Sequence, residues 1–368
     1  MNFSHWELDF RLKNVDFLII GGGIVGLSSA YFLKKKYPDK KVVVVERDFI
    51  SAGASSRNAG FACFGSPSEI IDDASKWGWE SAMKTVVFRQ EGLQLLKSII
   101  PFESMDGYEN GGAEIFQSDD QILMDCVKSQ WSELESACLS YLDEMPFSWT
   151  TEHWNLRNII GSIHIKGEGI LHPVKMLGQW ERLCRQEGVQ LMYGLNIDSI
   201  SLEDVSVTIR GCQIQTGNLI LCTNGLTSRL MPGLDVQPAR NQVLVTNEIL
   251  EQPWNMSFHQ REGYVYFRSV GKRVLIGGAR DKFKSTEWTD AMEVNKDIID
   301  YLKNHLINLL GHDSFAIESE WSGIMGLGNG KGPIIEKIAN NVFVAVRMGG
   351  MGVAIGTAVG KRLTDLVE

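Results

Sequence analysis

The sequence lacks the patterns that mark a metal site, a disulfide framework or a membrane segment. Its six cysteines are scattered, with no Cys-x-x-Cys pair and no metal-ligand spacing to a histidine, so we expect reduced thiols and no bound metal. The apolar run after the first fifteen residues is too short and too rich in glycine for a signal or transmembrane segment. We therefore expect a soluble, cytoplasmic protein without membrane insertion. The cysteines are Cys63, Cys126, Cys138, Cys184, Cys212 and Cys222.

An excess of positive charge is also missing. The formal net charge is −9, which disfavours non-specific binding to nucleic acid or to an anionic membrane surface. The one basic cluster, Lys34 to Lys36 with Lys40 and Lys41, follows the first predicted helix, where it complements the helix dipole. The 368 residues, 44% hydrophobic and 22% charged, have the composition of an ordinary globular protein and are long enough for two domains.

A complete dinucleotide-binding βαβ unit is present at residues 16–46. A buried strand leads into three glycines spaced as Gly-x-Gly-x-x-Gly, and a helical stretch and a second strand follow. Gly21 allows the tight turn, Gly23 lets the backbone approach a pyrophosphate, and Gly26 lets the helix pack closely on the strand. The pyrophosphate would rest on the positive N-terminus of that helix. Glu46 ends the second strand, where its carboxylate suits an unphosphorylated ribose, so FAD or NAD is favoured over NADP.

The middle of the chain alternates predicted helices and strands. Residues 53–60 are small and polar and predict a loop along the cofactor. Amphipathic helices are predicted over residues 70–100 and 119–142, as an insertion beside the nucleotide domain. The pattern further predicts a helix from 173 to about 187, a strand over 189–193, a small antiparallel sheet through 197–209, a buried strand at 218–221, strands at 242–245, 264–268 and 273–276, and a helix from about 289 to 310 that Gly311 ends.

The C-terminal segment repeats the order of strand, glycine turn and helix. Residues 341–352 form the predicted strand and turn, and the helix follows over 353–366. Two such elements at opposite ends of the chain indicate that the last one returns to the first domain, and that the cofactor is long enough to touch both. FAD meets that requirement, whereas an NAD dehydrogenase usually completes its dinucleotide domain in one contiguous block.

Taken together, these residues resemble the D-amino-acid oxidase-like family of FAD-dependent oxidoreductases, which includes glycine oxidase, sarcosine oxidases and γ-glutamylputrescine oxidase-like enzymes. The resemblance covers nearly the whole chain. It rests on the N-terminal fingerprint followed by an ordered set of segments, which are 53–60, 169–173, 222–225, 264–268 with 276–278, 321–323 with 333–335, and 349–352.

The predicted fold is α/β, with a Rossmann-type FAD-binding domain interleaved with an α+β substrate domain on a mostly antiparallel sheet. The FAD-binding domain is expected over residues 1–85, 150–232 and 322–368. The substrate or cap domain is expected over residues 86–149 and 233–321.

The resemblance implies three groups of FAD-binding residues. The first holds the pyrophosphate and the adenosine ribose, the second follows the ribityl chain, and the third places backbone amides and a helix dipole near the pyrimidine end of the flavin. These residues are Gly21, Gly23, Ile24, Val25, Gly26, Glu46 and Arg47, then Ser55, Ser56, Arg57, Asn58, Ala59 and Gly60, then Gly349, Gly350, Met351, Gly352 and Val353. Thr223, Asn224 and Gly225 are further expected cofactor-binding residues.

The resemblance also implies how FAD is held. Several members of the family attach it covalently, through a histidine in the loop after the second strand or through a cysteine near the exit of the second domain. The matching regions of this chain are Arg57-Asn58 and Gly323 to Met325. We therefore expect non-covalent FAD.

The reaction of the family removes a hydride from the carbon bearing an amine and delivers it to flavin N5, and water hydrolyses the resulting imine. The expected partner is a small-molecule amine or amino acid. Sarcosine oxidase-like members carry a lysine on the strand matching residues 273–276, where this chain has Leu275. Oxygen and another electron acceptor both stay open.

The family's cationic anchors for a substrate carboxylate are missing. No arginine occupies residues 323–326, and Ala354 stands where sarcosine oxidases have a lysine. A buried carboxylate without a cationic partner is expensive. Either Arg268, Arg240 or Arg280 supplies the charge from another direction, or the substrate has no α-carboxylate.

The strand over residues 264–268 is expected to help form the substrate site. Its period of two places Tyr264, Tyr266 and Arg268 on one face. If that face looks towards the flavin, Tyr266 and Arg268 orient the substrate, and Arg268 is the preferred carboxylate partner. If it looks outward, they are surface residues.

Two other functions stay open at this point. A nicotinamide-dependent dehydrogenase would use only the N-terminal fingerprint, which the C-terminal return argues against. A flavin-holding binding or assembly protein with little turnover would explain the missing anchors. A second dinucleotide fingerprint is absent, since residues 326–332 lack the flanking strand and helix and are interpreted as a flexible loop.

Overall fold

Runs of buried β-branched and aromatic residues form two eight-stranded sheets and one two-stranded ribbon in the computed structural model, which describes residues 3–367. The strands are β1 Val15–Ile20, β2 Val42–Val45, β3 Phe61–Ala62, β4 Gly112–Gln117, β5 Phe147–Thr150, β6 Ile159–Ile165, β7 Gly169–Ile170, β8 Gln190–Met192, β9 Ser199–Ser201, β10 Ser206–Ile209, β11 Cys212–Leu221, β12 Gln237–Thr246, β13 Ser257–Gln260, β14 Val265–Val270, β15 Arg273–Gly278, β16 Ile317–Leu327, β17 Ile334–Ala339 and β18 Val342–Val346.

The helices lie between and after these strands. They are α1 His5–Glu7, α2 Ile24–Lys36, α3 Ala54–Arg57, α4 Pro67–Trp77, α5 Trp79–Ile99, α6 Gln121–Ser129, α7 Trp131–Leu142, α8 Pro173–Gln186, α9 Thr227–Leu230, α10 Lys284–Glu287, α11 Lys296–Leu310 and α12 Gly352–Leu366. Shorter helical turns are Leu8–Leu12, Phe102–Met105, Ser118–Asp120 and Asn224–Leu226. None of the described helices is both long and apolar enough to span a membrane.

The first sheet has the order β17-β18-β11-β1-β2-β8, with β9 and β10 attached beside β11. Strand β1 lies between β2 and β11 and is parallel to both. The four valines of β2 are all buried, as is typical of a parallel sheet covered on both faces. Strand β18 is parallel to β11, so the C-terminal segment returns to the N-terminal unit, which confirms the prediction.

Helices α2 and α12 pack against each other on one face of this sheet. The hydroxyl of Ser28 in α2 donates to the carbonyl oxygen of Gly356 in α12 over 3.3 Å. Helix α5 adds Leu93 and Leu96 to the same buried cluster. Because both dinucleotide-type elements share this core, the glycine turns before α2 and α12 are held in one rigid frame.

The second sheet has the order β16-β12-β15-β14-β13-β4-β6-β5. Its neighbours are antiparallel except for β13 and β4, which are parallel, and this confirms the mostly antiparallel substrate sheet. One face is covered by α11 through Ile298, Leu302 and Leu306. The opposite face contributes Tyr266 and Val243 to a cavity that also reaches the first sheet.

Three details differ from the sequence-based expectations. Strand β6 lies within the segment 150–232 that was expected in the FAD-binding domain, but it pairs with β4 and β5 of the second sheet. Helix α5 lies largely in the expected cap segment, yet it packs on the FAD-side core. Helix α11 begins at Lys296, seven residues later than predicted from residue 289, because the Asn295 side chain caps it by accepting from the Asp297 amide.

Candidate active site

A cavity of about 690 Å³ extends from the N-terminus of α2 to the face of the second sheet. Its size lies within the range of small-molecule and cofactor sites. One end is lined by the glycine turn after β1 and the carboxylate that follows β2. The other end is lined by side chains of β12, β13 and β14.

The glycine turn after β1 has no room for side chains. A Cβ on Gly26 would lie 1.9 Å from the carbonyl oxygen of Gly21, and Gly21 itself has a φ of +110°. The first amides of a helix lack intrahelical acceptors, and here the Ile24 amide donates to the Ser55 hydroxyl over 3.0 Å. A bare backbone and a helix N-terminus at a cavity wall fit a pyrophosphate.

Glu46 is fixed at the end of β2 by two backbone amides. Its carboxylate oxygens accept from the Gly22 amide over 2.9 Å and from the Asp48 amide over 3.1 Å. Both Glu46 and Arg47 line the cavity. The position and charge of this carboxylate fit an adenosine ribose without a 2′-phosphate.

The loop around α3 is held by its own side chains. Arg57 donates from Nε to the Ala52 carbonyl over 3.0 Å and from Nη1 to the Ser322 carbonyl over 3.1 Å. Asn58 accepts from the Gly60 amide over 2.8 Å. This pinned loop forms one wall of the middle of the cavity, and residues 323–325 line it from β16.

The C-terminal glycine turn forms a further wall. Gly349 and Gly350 have φ values of +58° and +85°, which disfavour any other residue. All five residues from Gly349 to Val353 line the cavity, and α12 begins at Gly352. The positive end of the α12 dipole is therefore available to a negatively charged group in the cavity.

Most of the predicted cofactor residues line this cavity, including residues 223–225, but three do not. Gly26 lies beneath the Gly21 carbonyl, in agreement with its predicted packing role. The Ser56 hydroxyl donates back to Gly53. The Gly60 carbonyl accepts from the Leu171 amide over 2.8 Å.

Tyr266 forms part of the far wall. Its hydroxyl accepts from Asn241 Nδ2 over 3.0 Å, and burial raises the pKa of this hydroxyl. The Phe61 ring packs edge-on against it at a centroid distance of 5.5 Å. Leu275 is buried in the same apolar cluster with Val243, so the strand position matching a family lysine carries no charge.

The three arginines considered as carboxylate partners have different surroundings. Arg240 forms a two-pronged ion pair with Glu287, with both N–O distances 2.8 Å. Arg268 lies outside the cavity lining, and its Nη1 donates to the carbonyls of Gly60 and Leu171 over 3.0 and 2.9 Å. Burial without an acidic partner lowers the pKa of its guanidinium to about 10.

Arg280 differs from both, because it lines the cavity. Its side chain has no hydrogen bond or ion pair to the rest of residues 3–367, and its guanidinium lies 5.6 Å from the centre of the Trp288 ring. The strand period favoured Arg268 as the carboxylate partner, but the structure does not bring Arg268 into the cavity. Of the three candidate arginines, Arg280 is the one that lines the cavity with a guanidinium that is unpaired among the described residues. The period places a residue on a face, but it does not show that two carbonyl oxygens occupy the guanidinium.

Sequence reasoning missed a buried cluster at the far wall. His259 lines the cavity, and its Nε2 lies 2.7 Å from Oε2 of Glu168, which is completely buried. The donor atoms of Cys63, Glu168 and His259 lie within 4.8 Å of one another. Two zinc ligands with bonds of about 2.0 Å would lie about 3.3 Å apart, so the 2.7 Å contact is a hydrogen bond. Burial opposes a charged His259, but Glu168 outweighs it and raises the pKa of this imidazole.

The cavity lining includes an ion-pair bridge. Lys331, from the loop expected to be flexible, contacts Glu69 and Asp73 of α4, and all three line the cavity. Burial by itself would raise the pKa of Glu69, but Arg89 and Lys331 outweigh it and lower that pKa to about 2. The bridge joins α4 to the loop after β16 along the cavity lining.

Comparisons with known proteins agree with this geometry. A family model described as FAD dependent oxidoreductase matches residues 16–366. L-2-hydroxyglutarate dehydrogenase of Salmonella houtenae is 24% identical over 325 residues, which are 80% of this chain and 73% of that protein. L-proline dehydrogenase from P. horikoshii superposes with a TM-score of 0.76 at 17% identity, covering 97% of this chain and 94% of the other. Glycine oxidase from Geobacillus kaustophilus gives a TM-score of 0.74 at 17% identity, covering 96% and 94%.

Proposed function

This chain belongs to the family of FAD dependent oxidoreductases, and on that premise we propose that it oxidises an amine or amino acid at the carbon bearing the nitrogen. The family match confirms the resemblance and the FAD cofactor expected from the sequence. Bound FAD supplies the acceptor for the hydride, so the protein's part is to bind, orient and tune charge. Because the family uses FAD, the alternative of a nicotinamide-dependent dehydrogenase is no longer favoured.

The observation that carries this proposal is the continuity of the cavity. The glycine turns before α2 and α12 border the same space as Tyr266 on β14. A cofactor resting on the two helix N-termini and a small molecule against Tyr266 would therefore be neighbours. Such a shared space would hold the reacting atoms of cofactor and substrate next to each other.

Two polar groups are proposed to orient the substrate. The Tyr266 hydroxyl, held by Asn241 over 3.0 Å, stays protonated because burial raises its pKa, so it can donate to a substrate acceptor. For a substrate with a carboxylate, we propose Arg280 as the cationic partner, since it lines the cavity and carries no ion pair among the described residues. Arg268 is proposed to support the Gly60 and Leu171 carbonyls instead.

A panel experiment tests the function. Purified holoprotein is mixed anaerobically with amines, with amino acids and with 2-hydroxy acids, and loss of the oxidised flavin absorbance is followed. At least one amine or amino acid is expected to bleach the flavin, and the carbonyl product and released nitrogen compound are expected in equal amounts. Bleaching by 2-hydroxy acids alone would reassign the substrate class. Bleaching by dithionite but by none of the panel would favour a flavin-holding protein with little turnover.

A further inference from the structure

A buried hydrogen-bonded pair borders the substrate end of the cavity and is not among the residues predicted to hold FAD. His259 on β13 is the register partner of Tyr266 on β14, and both line the cavity. The Phe61 ring packs edge-on against each of them, at centroid distances of 5.4 and 5.5 Å. The imidazole therefore lies beside the side chain proposed to orient the substrate.

Glu168 fixes the orientation of this imidazole. Its carboxylate accepts from the Phe64 amide over 3.3 Å and from the Ser257 hydroxyl over 2.8 Å. An acceptor held in this way leaves Nε2 of His259 as the donor in the 2.7 Å contact. A neutral ring then carries its lone pair on Nδ1, which has no hydrogen-bond partner among residues 3–367.

Other ionisable groups near His259 do not compete for this task. Burial raises the pKa of the Cys63 thiol and of the Tyr266 hydroxyl, so both hold their protons near neutral pH. Glu114 on β4 and Glu69 on α4 add to the negative potential around the ring, and Arg89 lies behind Glu69. Glu114, whose pKa burial raises to about 7, also changes charge near neutrality but does not line the cavity. The imidazole is therefore the group that both lines this wall and changes charge close to neutrality.

We infer that His259 is the proton acceptor for the substrate nitrogen and that Glu168 is its positioning residue. This inference rests on the proposed function. An N–H bond of the substrate ammonium breaks, and the proton goes to Nδ1 of His259, which leaves a lone pair on nitrogen. The C–H bond then breaks with its electron pair passing as hydride to bound FAD, while the nitrogen lone pair forms the C=N bond. The substrate is oxidised by two electrons and FAD is reduced by two.

Anaerobic stopped-flow reduction with the best amine of the panel tests this role. His259→Gln is expected to keep its FAD and to lose about a hundredfold or more of the limiting reduction rate. The matched control is His305→Gln, which replaces another buried histidine that contacts Gln260 over 2.7 Å and does not line the cavity. This control is expected to reduce its flavin at the wild-type rate. Equal rates in His259→Gln and wild type, with the amine still bleaching both, would overturn the inference and leave the proposed function intact.

The pH profile gives a readout that a purely structural role would not move. The acceptor must be neutral, so the wild-type rate is expected to rise with pH through a midpoint above the ordinary imidazole pKa of 6.5. Glu168→Gln removes the charge that raises this pKa and is expected to shift the midpoint downward. In wild type, the pH profiles of two amines of different basicity are expected to share one midpoint. This comparison uses the wild-type protein alone. A midpoint that follows the basicity of the amine, or stoichiometric zinc in the purified protein, would contradict the inference.

Discussion

The two ends of the cavity differ in the groups that form them, which are mainly backbone at one end and buried charged side chains at the other. At the FAD end, residues 21–26 and Glu46 belong to one βαβ unit, and what they present is mainly bare backbone and a helix N-terminus. At the substrate end, Glu168 and His259 are 91 residues apart and meet through the pairing of distant strands. On the proposed function, we expect cofactor binding to depend on backbone shape, which a single added Cβ would disrupt. We expect substrate chemistry to depend on buried charge, which a substitution can alter while the fold survives.

Adding a side chain at the FAD end is expected to have the largest effect, which is the loss of bound flavin. Gly26→Val should give protein without flavin, because its Cβ would lie 1.9 Å from the Gly21 carbonyl oxygen. The matched control is Gly178→Val in α8, where no heavy atom lies within 4 Å of the added Cβ. The measurement is flavin absorbance per protein after purification. Normal flavin content in Gly26→Val would remove the distinction between the two ends.

Releasing the cofactor tests whether backbone contacts are its only attachment. Acid precipitation is expected to leave all the FAD in the supernatant. By the family resemblance, the regions that match the covalent attachment sites hold Arg57, Asn58 and Gly323 to Met325 instead of the attaching histidine or cysteine. The measurement is flavin absorbance in the supernatant and in the washed, redissolved pellet. Flavin that stays with the pellet would show a covalent bond.

The next prediction concerns buried charge, which we expect to matter at the substrate end, and removes the carboxylate of Glu114. Burial raises the pKa of Glu114 to about 7 from an ordinary 4.5. The folded protein therefore holds this proton more tightly than the unfolded chain, so this residue lowers stability as pH rises from about 4.5 to 7. Glu114→Gln lacks that loss, so its stability relative to wild type should rise by on the order of 2–3 kcal/mol between pH 5 and pH 8.

Urea unfolding of the holoprotein at pH 5 and pH 8 measures this difference. The matched control is Glu336→Gln on β17, where the side chain is exposed, and it should differ from wild type equally at both pH values. The same difference between Glu114→Gln and wild type at both pH values would contradict a raised Glu114 pKa.

The smallest expected effect separates two arginines of the substrate end. Arg280→Met should weaken binding of a carboxylate-bearing amine roughly tenfold, about 1.4 kcal/mol, and leave a carboxylate-free amine unchanged. Arg268→Met should affect both amines alike, because it removes a donor from two backbone carbonyls. It should destabilise the fold by about 1–3 kcal/mol. Flavin bleaching at varied amine concentration gives the apparent affinities.

The reverse pattern would restore the expectation drawn from the strand period. If Arg268→Met alone weakened the carboxylate-bearing amine by more than a hundredfold, a buried charge pair between Arg268 and substrate would be indicated. Arg280 would then be a residue of the cavity lining without a role in specificity.

The FAD end could be predicted because its determinants are local. The glycine spacing, the flanking strands and Glu46 stand in one continuous segment, and the C-terminal repeat announced the return to the first sheet. The parallel pairing of β13 with β4 was not predictable, since no pattern in Ser257–Gln260 names its partner. His259 was missed for the same reason, because its candidate role depends on its contact with Glu168, which lies 91 residues away in the chain.

Arg268 shows a second limit of the sequence. The period of two correctly relates it to Tyr266 along β14, but the guanidinium is occupied by the carbonyls of Gly60 and Leu171. Both carbonyls come from other segments of the chain. Arg280, beyond the end of β15, was one of three candidate arginines in the sequence, and the folded chain distinguishes it because it lines the cavity.

Anaerobic reduction of the holoprotein by an amine deuterated at the carbon bearing the nitrogen tests the central claim most directly. If FAD and the amine share one cavity and the C–H bond breaks to FAD, the deuterated amine should bleach the flavin more slowly than its ordinary counterpart. His259→Gln should be slow with both amines and still contain FAD. Equal wild-type rates with the two amines would show that breaking of the C–H bond does not limit flavin reduction. No bleaching by any amine, with flavin that dithionite reduces readily, would contradict the claim that the cavity is an amine-oxidising site.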